Sequence, residues 1–184
     1  MRGVINLPNL LTLARILLTP FIIWAILNGF PSHALALMIV AGLTDMLDGF
    51  IAKHYGMQTV VGAYMDPIAD KLMLTGAFIS LFITGQAPMF LFLAVVFRDV
   101  VIVIGAIAYE LVTHRLKMQP TWLSKTTTVF QIALVVVTLL RASHPVPDAL
   151  FNALVWLTFA LTCASGIQYM VLWTYKATRA EGAG

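Results

Sequence analysis

Asp45, Asp48, Asp66 and Asp70 make up half of the eight acidic residues in the chain, and all four fall within 26 positions. Asp45 and Asp48 are three apart and Asp66 and Asp70 are four apart, spacings that put each pair on one helix face. Their surroundings are mostly apolar, Thr-Asp-Met-Leu-Asp-Gly-Phe-Ile-Ala and then Gly-Ala-Tyr-Met-Asp-Pro-Ile-Ala-Asp. A carboxylate within a membrane segment is costly and marks a functional site by default. Four together repel unless a cation sits among them, and hard divalent ions such as Mg²⁺, Mn²⁺ or Ca²⁺ prefer carboxylate oxygens. The cluster contains no His or Cys, which argues against zinc. The pattern points to one divalent metal site assembled from two helices.

The elements that must position these acids are membrane helices. Charged residues are 10% of the 184 and hydrophobic residues 60%, against roughly 25% charged in soluble domains. The chain reads as an all-α integral membrane protein, one domain over residues 1–184. Its net charge of +3 is too small for a nucleic-acid footprint. Apolar runs of about 20 residues predict six transmembrane helices near residues 9–29, 33–53, 61–84, 88–113, 121–141 and 148–175, separated mostly by Gly/Pro clusters. Asn9, Thr12 and Arg15 share a helix face. They predict a short N-terminal juxtamembrane helix whose polar stripe either lies along the interface and approaches the acids or is simply amphipathic, with no ligand contact. These polar residues, with Pro8, also interrupt the first apolar run, so no cleaved signal peptide is expected.

Basic residues set the orientation. Arg2, Arg15, Lys53, Lys71, Arg115, Lys117, Lys125, Lys176 and Arg179 fall on one side and Arg141 on the other. Both termini are therefore expected in the cytoplasm, with the acids at that end of the membrane. The second and third spans run antiparallel across a short turn, so their acidic faces converge.

Other residues divide between chemistry and packing. Gly49, Ala52 and Gly62 bracket the acids and leave room for a bulky ligand against the backbone. Gly42, Gly76 and Gly105 read as helix packing. Arg98 sits in apolar sequence, where a charge must have a reason, and the adjacent Asp99 offers it an ion pair. Lys125 and Arg115 carry charge near span ends, where anchoring to anionic lipid is one reading of Arg115. Cys163 is the lone cysteine and reads as a core residue.

The run Asp45-x2-Asp48-Gly49-x2-Ala52-Lys53-x8-Gly62-x3-Asp66-x3-Asp70 resembles the signature of the CDP-alcohol phosphatidyltransferases, D-x2-D-G-x2-A-R-x8-G-x3-D-x3-D. Lys53 is the one departure. Lysine keeps the charge of the family's arginine but lacks its planar fork. The opening Leu-Pro-Asn-Leu-Leu-Thr-Leu-Ala-Arg resembles the N-terminal helix of phosphatidylglycerophosphate and cardiolipin synthases. Arg98-Asp99 and the Pro-Thr-Trp-Leu-Ser-Lys run ending at Lys125 lean toward the CMP-forming cardiolipin synthases.

The resemblance implies a six-helix homodimer in the bacterial plasma membrane with a cytoplasm-facing site for two divalent cations, Mg²⁺ or Mn²⁺. It implies transfer of a phosphatidyl group from CDP-diacylglycerol to phosphatidylglycerol, with glycerol 3-phosphate as the alternative acceptor, and release of CMP. Asp45, Asp48, Asp66 and Asp70 would be metal ligands, Asp66 and Asp70 also catalytic, with Asp70 the general base. Asp45, Gly49, Ala52, Lys53 and Gly62 would contact the nucleotide, and Arg98, Lys125 and Arg115 the acceptor's phosphate. Two other readings compete: a cation or proton transporter using the Asp cluster, and a catalytically dead member of the fold. A transporter leaves the small residues beside the acids without a purpose.

Overall fold

The structure is a computed structural model that describes residues 6–54, 60–113 and 121–181. Among the described residues it contains six helices and no strand: α1 (Leu7–Leu27), α2 (Pro31–His54), α3 (Val60–Ile83), α4 (Met89–Thr113), α5 (Trp122–Arg141) and α6 (Asp148–Glu181). The ends lie within two residues of the sequence expectation, except that α6 runs on to Glu181. Among the described residues, four segments are long and apolar enough to cross a membrane: Leu7–Leu27, Pro31–Ala52, Trp122–Arg141 and Asp148–Thr174. The chain is a multi-pass membrane protein. The helices α3 and α4 carry the charged pairs Asp66/Asp70 and Arg98/Asp99.

Local chemistry explains where α1 begins and where α1 and α3 end. Asn6 is extended, and its side chain accepts from the Asn9 backbone N–H at 3.4 Å, with Pro8 in the first turn. At the far end Gly29 adopts φ +75°, its N–H bonds the Ile26 carbonyl, and the Phe30 N–H bonds the Ala25 carbonyl. Gly85 repeats the arrangement after α3 at φ +71°, with bonds to Phe82 and from Gln86 to Leu81. Both are glycine-dependent caps that satisfy the last carbonyls. The expected separate juxtamembrane helix is not found among the described residues. Asn6 caps α1 directly, and the polar face of Asn9, Thr12 and Arg15 is buried rather than laid on an interface.

The chain forms two compact units, one of α1–α3 with Val135–Val146, the other of Pro88–Leu134 with Pro147–Gly184. In the first, α1 packs against both α2 and α3. Lipid tails are as apolar as leucine, so tight contact rather than expulsion from water must hold such helices together, and small residues allow it. Ala34, Ala41, Ala69 and Ala77 are fully buried, beside Ile22, Ile26, Phe78 and Leu81. A Cβ at Gly76 would lie 2.7 Å from Cδ1 of Ile23, so this glycine does serve packing.

In the second unit α4 packs on α6, and α5 joins α6 through a polar seam. Gln131 donates to Thr162 at 3.3 Å, Thr127 to the Leu161 carbonyl at 3.2 Å, and Thr121 to Gln168 at 2.9 Å. All of Thr127, Gln131, Thr158 and Thr162 are buried. Gly105 lies so close to the Trp173 ring that no Cβ fits. Gly42, also expected to pack, has nothing within 4 Å of a Cβ position.

Candidate active site

The acid pairs of α2 and α3 meet at the polar face of α1. Arg15 is fully buried, and its guanidinium reaches three of the four carboxylates. Nη1 lies 2.8 Å from Asp45 Oδ1 and 2.8 Å from Asp70 Oδ1, and Nη2 lies 2.6 Å from Asp48 Oδ2. One turn earlier, the Thr12 hydroxyl donates to Asp66 Oδ1 at 2.6 Å. The Thr19 hydroxyl bonds the Arg15 carbonyl at 3.0 Å, which ties the backbone beneath the guanidinium. Two residues on one face of α1 thus touch all four acids. The helix spacing produces this: Thr12 and Arg15 are three apart, so they point the same way.

The cluster is graded from floor to rim. Asp48 is buried, whereas the Asp45 and Asp70 side chains keep 43% and 52% of their exposure. A ligand arriving from solvent therefore meets Asp45 and Asp70 before Asp48. Gly49, next to Asp48, has nothing within 4 Å of a Cβ position, so the backbone there is open to approach. Gly62 is buried and Ala52 half-buried. The side chain of Lys53 lies outside the described residues.

Whether these residues suit a divalent cation is a question of donors and charge. The donors are hard carboxylate oxygens, and Arg15 offsets one of the four negative charges. Both points fit Mg²⁺ or Mn²⁺. Among the described residues, however, no three Asp, Glu, His or Cys side chains close on a common point. Three of the acids give an oxygen to Arg15 instead. The chemistry of the donor set fits a hard cation, and three of the four carboxylates are engaged by the guanidinium.

The second unit holds another buried arginine. Arg98 Nη1 is 2.8 Å from Asp99 Oδ1, Nη2 donates to Ser124 Oγ at 2.5 Å and to the Ser124 carbonyl at 3.3 Å, and Nε donates to Ser165 Oγ at 3.4 Å. Each nitrogen of the guanidinium has a protein partner. Arg98 therefore holds the first turn of α5 to α4 and α6. Lys125 follows Ser124, is exposed, and has Nζ 5.4 Å from the Trp122 ring centroid. Arg115 lies outside the described residues.

Sequence pattern alone does not assign chemistry to Thr12, Arg15, Ser124 or Ser165. The first two carry a signal, a polar face in an otherwise apolar helix. Ser165 carries none, because it lies 67 positions from its partner Arg98.

A model of the CDP-alcohol phosphatidyltransferase family matches residues 5–164. Among curated proteins, the chain is 32% identical over 184 aligned residues to the chloroplastic CDP-diacylglycerol–glycerol-3-phosphate 3-phosphatidyltransferase 1 of Oryza sativa, covering 90% of this chain and 56% of that one. It is 33% identical to the CMP-forming cardiolipin synthase of Rattus norvegicus, covering 87% and 58%. It is 32% identical to the probable phosphatidylglycerophosphate synthase of Mycobacterium tuberculosis, covering 90% and 80%. The chain thus spans somewhat over half of the rice and rat relatives and most of the mycobacterial one. With the acid signature gathered at one place and the family match running through α1 to α5 and into α6, the chain belongs to the CDP-alcohol phosphatidyltransferase family.

Proposed function

We propose that the protein transfers a phosphatidyl group from CDP-diacylglycerol to a glycerol-type alcohol and releases CMP. The observation that carries this reading is the convergence of Asp45, Asp48, Asp66 and Asp70 from two helices onto Thr12 and Arg15. Asp45, Asp48, Asp66 and Asp70 would hold two divalent cations, Mg²⁺ or Mn²⁺. When bound, these neutralise the diphosphate and stabilise the leaving CMP.

The side chains do the rest. Gly49, Ala52 and Gly62 let the nucleotide lie against the backbone, with Asp45 and Lys53 beside it. Asp66 is held in place by the Thr12 hydroxyl. Asp70, on the exposed rim, accepts the proton of the acceptor hydroxyl as general base. The hydroxyl oxygen forms a bond to the lipid-side phosphorus, the bond from that phosphorus to the CMP oxygen breaks, and CMP leaves with the bond's electron pair. Lys125 and Arg115 draw in the acceptor's phosphate, and Arg98, paired with Asp99 and bonded to Ser124, positions the start of α5 rather than contacting that phosphate itself.

The acceptor we favour is phosphatidylglycerol, from the Arg98-Asp99 pair and the run ending at Lys125. Glycerol 3-phosphate is the second reading, supported by the names of the rice and mycobacterial relatives, whose identities are similar to that of the rat cardiolipin synthase. We further infer a single catalytic domain with six spans, both termini in the cytoplasm, the acid cluster at the cytoplasmic face of a bacterial plasma membrane, and a homodimeric assembly. The distribution of basic residues supports the orientation. The test is CMP release from CDP-diacylglycerol by purified protein with Mg²⁺ or Mn²⁺, run in parallel with each acceptor. Release with phosphatidylglycerol alone supports the favoured reading, and release with glycerol 3-phosphate alone supports the second. Release with neither, from folded protein, contradicts both.

A further inference from the structure

We propose that Arg15 is a built-in counter-ion. It occupies the acid cluster while no divalent cation is bound and gives up the carboxylate oxygens when one arrives. The inference rests on the metal-site reading above and goes beyond it, because it assigns a role to a residue of α1 that lies outside the Asp-Gly-Ala-Gly-Asp signature.

Three features of the geometry carry it. First, Arg15 bridges the helices that supply the acids: Nη1 spans Asp45 of α2 and Asp70 of α3, and Nη2 holds Asp48. Without a cation at that point the carboxylates would repel one another. Second, the fit is incomplete. Arg15 Nε is buried and makes no hydrogen bond among the described residues, whereas every nitrogen of Arg98 has a partner. A guanidinium built only as a clamp would be expected to use its whole fork. Third, Nη1 sits on Asp45 and Asp70, whose side chains are partly open, whereas the Asp48 that Nη2 holds is buried. An incoming ion meets the contacts it must replace, while the side chain withdraws on a flexible stem from a helix that need not move.

The same oxygens cannot serve the guanidinium and a metal ion at once, so the two compete. Removing the arginine charge should strengthen divalent binding and weaken the metal-free fold. A residue that merely braced the cluster would act the other way on binding, because its loss would scatter the ligands.

The test uses the purified full chain with Mn²⁺ alone and no lipid substrate. Mn²⁺ binding is followed by the electron paramagnetic resonance signal of the free ion, and thermal unfolding is recorded in chelator and in Mn²⁺. In Arg15→Gln the apparent Kd for Mn²⁺ should fall roughly tenfold or more, the Tm in chelator should drop, and the Tm rise on adding Mn²⁺ should exceed that of the wild type. Arg15→Lys keeps the charge but holds fewer oxygens. It should fold without metal and bind Mn²⁺ with a Kd between the other two. Unchanged or weaker Mn²⁺ binding in both variants, with the wild type binding normally, would overturn the inference and leave the metal site standing. If the wild type and both variants bind no Mn²⁺, the metal-site reading fails and takes the inference with it.

Discussion

Among the described residues, two buried arginines sit on apolar helices, and they face different company. Arg98 meets one carboxylate, two serine hydroxyls and a backbone carbonyl. Its charge is balanced by Asp99 and its donors are used, which makes it a clamp for α4, α5 and α6. Arg15 meets three carboxylates, with a fourth held by Thr12 next to it. Here negative charge is in excess and two of the acids are open to solvent. A buried arginine with its charge matched holds helices together. One outnumbered by acids marks a place prepared for further positive charge.

The comparison can be broken most severely at the acids. Asp66→Asn should cut CMP release by about a thousandfold, the upper range for removing one charge-stabilising group. Its Tm should stay near that of the wild type, because Thr12 can still donate to the amide oxygen. Turnover and thermal unfolding on the same preparation check this, and near-normal turnover would dissolve the distinction between the two regions. Arg98→Ala should do the reverse. It leaves the buried Ser124 and Ser165 hydroxyls without the guanidinium that donates to them, so we expect about 2–3 kcal/mol of lost stability, read as a lower Tm.

How far such contrasts are legible in the sequence depends on what periodicity reports. It shows which face of a helix is polar, so the acid pairs and the Asn9, Thr12 and Arg15 face stand out from spacing alone. The helices follow from apolar run length and from Gly29 and Gly85, whose left-handed backbone ends α1 and α3. Periodicity does not show what a polar face meets. The Arg15 contacts join residues 30 and 55 positions away, and Ser165 reaches Arg98 across 67. For the same reason the polar start of α1 reads in sequence as a stripe along the interface that approaches the acids, and in the fold it reaches the acids but is buried. Arg98 illustrates the opposite error of emphasis. Its charge is visible in the sequence, and the serines that enclose it are not.

Smaller changes sharpen the account. Lys125→Ala should raise the acceptor KM about tenfold with little change in kcat, since an exposed lysine contributes uniform binding rather than transition-state contact. Steady-state kinetics with varied acceptor measures it. Gly49→Leu should leave Tm unchanged, because the space beside Gly49 is open, and should raise the KM for CDP-diacylglycerol several-fold. A large loss of Tm would mean that the space is filled by protein. Ser165→Ala, the mildest, removes one long hydrogen bond to Arg98 and should cost about 0.5–1 kcal/mol of stability, read from thermal unfolding, with turnover unchanged.

The most direct test of the central claim, that the four acids form a divalent-dependent transfer site, is CMP release as a function of Mn²⁺ concentration for the wild type and for Asp70→Asn. The wild type should be silent in chelator and rise to saturation with Mn²⁺, while Asp70→Asn stays near background at every concentration. Release that persists in chelator, or an Asp70→Asn curve that overlays the wild type, would contradict it.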